Sequence, residues 1–140
     1  MGERMKSYAI GIDPGVATGF AVWNCRSKSF ETVTSMSLPA AFNTILQAFY
    51  PDDTVIHIED ARMRTWYGNK GREVAQGVGS VKRDCTIWEE FCKFHGIEYQ
   101  LHHPKNNTTK LKAPEFKAYT QWDKQTNEHG RDAAMIVFGK

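Results

Sequence analysis

Short β-branched runs alternate with amphipathic stretches along this chain. Tyr8 to Ile12, Val16 to Asn24 and Phe30 to Met36 are apolar-rich segments divided by Pro14-Gly15 and by a polar Asn24 to Lys28 connection, which predicts three antiparallel strands. Ser37-Leu38-Pro39 then offers a cap and a proline near a first helical position. Ala40, Phe42, Ile45, Leu46 and Phe49 recur on one helical face until Pro51, so a helix follows the third strand. The run TVIHIED, Thr54 to Asp60, is short and β-branched and reads as a buried strand.

From Glu73 the period changes. Val74, Val78, Val81, Cys85, Trp88, Cys92 and His95 are spaced four and three residues apart, with Ile87, Phe91 and Phe94 on an adjoining stripe, until Gly96 stops the helix. One apolar face must pack on the sheet. The second is left for the chain's own terminal helices or for another subunit. Ile97 to Leu101 reads as a final strand, and PKNNTTKLKAP as a polar loop. Pro114 opens a short helix through Trp122, and Glu128 to Phe138 closes the chain with helical spacing, although its apolar end also suits a strand.

This order predicts an α/β fold: three antiparallel strands continued by parallel ones in a mixed sheet, with helices on both faces and residues 1 to 140 as a single domain. Two of the strands end on acids, Asp13 and the pair Glu59-Asp60. If the first and fourth strands are parallel neighbours, which right-handed crossovers permit, those acids converge. Strand alternation sends Glu59 and Asp60 to opposite faces, so only one of them can point at a shared site. By itself Asp13-Pro14-Gly15 is also an ordinary turn, and Asp60 also suits an exposed partner for Arg62 or Arg64. His57, between two isoleucines, reads as a hydrogen-bonded core histidine with the parity of Glu59. His102 and His103 close a strand.

Composition narrows the class. No stretch approaches the ~20 apolar residues of a membrane span, and the apolar run near the start is cut by Asp13 and Pro14, unlike a secretory signal. The three cysteines, Cys25, Cys85 and Cys92, give neither an even disulfide set nor a C-x-x-C pair. They suit reduced core thiols in the cytoplasm rather than zinc. The net charge of +2 is unevenly spread: residues 1 to 60 carry 4 Lys/Arg against 7 Asp/Glu, and residues 61 to 112 carry 10 against 5. A basic middle beside an acidic first third suits a protein that holds a polyanion near a carboxylate site.

Taken together, a first strand ending IGIDPGVATGFAV, a later strand ending VIHIED, a long helix containing AQGVGSV and a terminal NEHGRDAAM resemble the RuvC family of Holliday-junction resolvases, within the ribonuclease-H-like nucleases. The resemblance covers nearly the whole chain, residues 105 to 125 least well. It implies catalytic, metal-binding roles for Asp13, Glu59, His129 and Asp132, and selects Glu59 over Asp60. The position after the glutamate, often Gln in cellular members, is Asp60 here. The compact form resembles a phage or viral member acting in a host cytoplasm.

The chemistry agrees with those assignments. Phosphodiester hydrolysis needs an activated water and neutralisation of charge on the leaving oxygen, which two Mg²⁺ ions about 4 Å apart supply. Mn²⁺ is a possible substitute, and such ions take oxygen ligands. Asp13 is expected to bridge the metals, Glu59 and Asp132 to bind one each, and His129, three residues before Asp132, to ligate metal or contact the attacking water. Gly19 is expected to leave room for the phosphate.

For DNA, the segment RMRTWYGNKGR offers Arg62, Arg64, Lys70 and Arg72 to phosphates and Trp66 and Tyr67 for stacking. Lys105, Lys110 and Lys112 form a second, acid-free basic loop, with Asn106 to Thr109 as possible hydrogen-bond donors. Paired cuts in a four-way junction call for a homodimer, placed through the helix over residues 74 to 95. The alternatives are a nuclease of the same fold acting on flaps, forks or nonspecific DNA, and a phosphate-binding domain of the actin and sugar-kinase type. The latter lacks its second glycine-rich loop here.

Overall fold

The computed structural model describes residues 5–63, 72–104 and 110–140, and in the long helix it describes side chains from residue 79 on. Strands β1 (Tyr8–Asp13), β2 (Thr18–Asn24) and β3 (Ser29–Met36) lead to helix α1 (Leu38–Ala48), strand β4 (Thr54–Glu59), helix α2 (Arg72–His95) and strand β5 (Glu98–His102). Helices α3 (Ala113–Thr120) and α4 (Glu128–Val137) follow. The periodicity therefore named each of these strands and helices, with small shifts at the ends, and missed only the short 3-10 turns Pro51–Asp53 and Ala61–Met63 among the described residues. Val16 stays in the turn, 98% exposed, so β2 starts two residues later than expected.

Local signals explain the boundaries. Ser37 accepts the Ala40 amide and caps α1, Pro39 sits in the first turn where it forfeits no hydrogen bond, and Pro51 prevents continuation beyond Phe49. Asn127 caps α4 by accepting the Gly130 amide at 2.8 Å. That choice settles the last segment as helix. The Asn127 amide also donates to Ser35 Oγ at 2.8 Å, which fastens the start of α4 to β3.

The sheet runs β3-β2-β1-β4-β5. β1–β2 and β2–β3 are antiparallel, while β1–β4 and β4–β5 are parallel, as the mixed-sheet expectation required. The β1–β4 register pairs Ile12 with Ile58, so the next residues, Asp13 and Glu59, end their strands side by side.

Alternation sorts the core into two layers. Ile10, Ile12, Phe20, Val22, Ile56 and Ile58 face α1 and α2, packing on Ala41, Ile45, Trp88 and Cys92. Ala9, Ala21, Trp23, Val33 and Val55 face α3 and α4, packing on Phe116, Ala133, Ala134 and Val137. All three cysteines are buried and unpaired. The second apolar stripe of α2 is divided between two fates. Phe91 stacks on Phe42 of α1 at 4.2 Å, and Phe94 is 85% exposed.

α4 meets the sheet at places where the sheet has no side chain. A Cβ on Gly11 would stand 2.1 Å from the Ala133 carbonyl oxygen, and one on Gly19 2.1 Å from that of His129. What Gly19 accommodates is thus helix backbone rather than the phosphate expected from the sequence. Gly79, by contrast, has nothing among the described residues within 4 Å of such a Cβ. Gly11→Ala should therefore lower the denaturant-unfolding free energy by roughly 1–3 kcal/mol or more, as overpacking against backbone does. Gly79→Ala in the open face of α2 should raise it by about 0.5–1 kcal/mol. Equal midpoints for the two variants would contradict this account of the α4 seam.

Candidate active site

Asp13 is the last residue of β1, opposite Gly19, and its carboxyl is 18% exposed. Glu59 ends the parallel neighbour β4. Asp132, 8% exposed, lies in the second turn of α4, and His129 one turn earlier places Nδ1 3.9 Å from Asp13 Oδ2. The structure thus gathers the four expected residues at one end of the sheet, from three elements. Gly19 makes this possible, because a Cβ there would strike both the His129 carbonyl and, at 2.9 Å, Asp13 Cβ.

The electrostatics report the same convergence. Asp13 is pushed up from 3.8 to about 7, first by burial and then by the negative charges of Glu59 and Asp132. Lys110 opposes that rise and Glu128 adds to it. The sequence places Lys110 on DNA, yet its Nζ lies 3.0 Å from Asp132 Oδ2, and that hydrogen bond raises the lysine above its ordinary range. Glu128 was missed from the sequence. Its place in the first turn of α4, one residue before His129, was the available signal.

The donor chemistry fits a hard divalent cation: carboxylate oxygens, an excess of negative charge around Asp13, and one imidazole. As the side chains stand, however, no three His, Cys, Asp or Glu among the described residues form a group that could hold an ion. The Lys110 ammonium is the cation now on Asp132. The residues suit a metal in kind, and their rotamers would have to close on it.

The neighbouring residues separate as alternation requires. Asp60 is 3% exposed on the other face of the sheet, where its two oxygens take Arg62 Nε and Nη2 at 2.8 Å each. Arg62 is therefore its partner, but the acid is buried, not exposed as expected. Burial pushes the Asp60 carboxyl up, and the Arg62 hydrogen bonds more than offset it, so it lies below its ordinary range. His57 is a core histidine, 4% exposed, with Nδ1 2.8 Å from His102 Nε2. Burial, and then the charge of His102, depress it to about 4. The pairing with His102 was not foreseen.

Among the other DNA-contact candidates, Lys112 stands exposed just before α3. Arg64, Trp66, Tyr67, Lys70 and Lys105 lie outside the described residues, as do Asn106 to Thr109 and the Arg72 side chain. Among the described residues no helix is long and apolar enough to cross a membrane.

No family model and no curated protein matches the chain. Among solved structures it is similar to Thermus thermophilus RuvC in complex with a Holliday junction substrate, with a TM-score of 0.63 and 13% identity over 96% of this chain and 91% of that one. It is similar also to Thermus thermophilus RuvC alone, with a TM-score of 0.60 and 12% identity over 94% and 91%. The chain has the RuvC fold; its strand order anticipated the mixed sheet, and the resemblance implied the ribonuclease-H-like arrangement of it.

The raised Asp13 fixes the sign of a pH effect. Between about pH 4 and pH 7 the folded protein keeps a proton that the unfolded chain has released, so stability falls as pH rises through that window. A carboxamide in place of the Asp13 carboxyl has no such proton to lose. In EDTA, Asp13→Asn should gain on the wild type by on the order of 2 kcal/mol between pH 5 and pH 8, read from urea unfolding at both values. An advantage independent of pH would contradict the elevation.

Proposed function

We propose that this protein is a metal-dependent endodeoxyribonuclease that cuts four-way DNA junctions by paired phosphodiester hydrolysis as a homodimer. The observation that carries the reading is the convergence of Asp13, Glu59 and Asp132 at one end of a RuvC-like sheet, where burial first and the neighbouring carboxylates next push Asp13 up to about 7. The reading assigns Asp13, Glu59 and Asp132, with His129 beside them, to holding two Mg²⁺ ions, Mn²⁺ substituting. Bound, such ions activate water and neutralise the leaving oxygen.

The chain's own groups divide the remaining work. His129, 54% exposed and 3.9 Å from Asp13, would accept a proton from the attacking water in this reading. Lys110, beside Asp132, and Lys112, exposed just before α3, suit the phosphates next to the cut, with Lys110 leaving Asp132 to do so. Arg64, Trp66, Tyr67, Lys70, Arg72 and Lys105 remain the proposed DNA contacts from the sequence. The exposed Phe94 at the end of α2 supports a homodimer contact through that helix, and a two-fold axis would give one site per cut strand. Three reduced thiols suit the cytoplasm.

The test is cleavage of a mobile four-way junction in Mg²⁺, with both nicks mapped, against linear duplex and flap DNA. Paired symmetric nicks confined to the junction are expected. Equal rates on all three would favour a nuclease of broader specificity instead. Asp13→Asn should bind the junction as the wild type does and cut it about 10²-fold more slowly or worse. Millimolar Mg²⁺ should raise the melting temperature of the wild type and leave that of Asp13→Asn nearly unchanged; a shift of the same size in both would remove Asp13 from metal binding.

A further inference from the structure

The chain leaves β4 through a cluster that the site described above does not use. Asp60, the residue after Glu59, extends the sheet by donating its amide to the His102 carbonyl at 2.8 Å. Its own carbonyl accepts the Met63 amide at 3.1 Å, and its Oδ1 accepts the Arg62 amide at 3.0 Å. The Arg62 guanidinium then grips both Asp60 oxygens at 2.8 Å, Glu89 Oε1 at 3.0 Å and Thr86 Oγ1 at 3.3 Å. The second Glu89 oxygen accepts the Tyr99 hydroxyl at 2.8 Å, and the Glu59 carbonyl accepts Cys85 Sγ at 3.6 Å. The exit of β4 is thereby fastened to α2 through Cys85, Thr86 and Glu89, and to β5 through Tyr99 and His102.

Two physical facts follow. The fork of Arg62 already faces two carboxylates, so a phosphate approaching it would meet a pair of negative charges. Glu59 and Asp60 project to opposite faces of one strand, so the backbone between them carries any slack at Asp60 into the direction of the Glu59 carboxylate. We infer that Arg62, with Asp60, is a positioning residue that aims Glu59 into the site, and not a DNA-phosphate ligand. This rests on the nuclease reading.

The two roles give Asp60→Asn opposite signs. If Arg62 positions Glu59, then Asp60→Asn and Arg62→Lys, which removes the fork but keeps the charge, should each lower kcat on the junction by about tenfold or more. Junction Kd and its salt dependence should stay at wild-type values. If Arg62 is a phosphate ligand, Arg62→Lys is tolerated, Arg62→Ala weakens binding and lowers the salt slope by about 1, and Asp60→Asn frees the arginine and tightens binding. Either of the last two results overturns the inference.

Hydrogen exchange of the backbone over residues 57–63 in the free protein reads the clip without DNA, and both conservative variants should exchange faster there. Unchanged exchange overturns the inference, as does faster exchange with unchanged kcat. Should Arg62→Ala not fold, Asp60→Asn and Arg62→Lys decide alone. A wild-type protein that cuts no DNA defeats the nuclease reading and the aiming role with it, while the exchange result still shows whether the clip holds the strand.

Discussion

The approach of one helix backbone to two strands is the constraint on which the candidate site depends. α4 carries Asp132 and His129, and they reach Asp13 only because Gly11 and Gly19 leave the helix carbonyls of Ala133 and His129 a place to lie. The same helix sets Ala133, Ala134 and Val137 into the core, so burial of apolar surface drives it into that seam. Arg131 ties it sideways, donating to the Leu111 carbonyl and to Thr126 Oγ1 at 2.9 Å each. The acids are therefore held together by packing that has nothing to do with their charges, and against their mutual repulsion.

Asp13 and Asp60 show what that means. Both are largely buried acids at the exits of adjacent parallel strands. Asp60 meets a guanidinium that satisfies both its oxygens, and it stays below the ordinary carboxylate range. Asp13 meets other carboxylates and is held at about 7. A fold that served stability alone would compensate both in the same way. The raised acid lies on the face shared with Glu59 and Asp132. The compensated one is turned toward α2, where the structure uses it to hold the chain.

Much of this was legible in the residues and some was not. Period-2 and period-3.6 patterns placed the strands and helices, because this fold buries one face of each in the ordinary way. Acids at strand ends stood out because carboxylates seldom follow an apolar run without a reason. Arg62 was legible as a partner for Asp60, but RMR also reads as a basic patch, and its other partners, Thr86 and Glu89, lie about four turns into α2. The ion pair of Lys110 with Asp132 was hidden in the same way, since nothing local announces that acid. The Phe91 stripe of α2 reads as free because Phe42 counts toward the sheet-facing side of α1, while its ring also lies flat on Phe91.

The placement of the four site residues also orders the way the fold can come together. Asp13 and Glu59 are joined by the β1–β4 pairing within the first sixty residues, but Asp132 and His129 arrive with the last helix. Until α4 seats against Gly11 and Gly19, the strand-end pair faces solvent and its repulsion is cheap. Seating α4 adds the Asp132 charge and takes Asp13 out of water in one step. Any cation that binds the assembled acids more tightly than the separated ones therefore favours the seated helix by mass action. In the chain itself Lys110 fills that part, reaching Asp132 from the segment just before α3. The helix that completes the site is thus the element whose docking is most sensitive to the charge bound there.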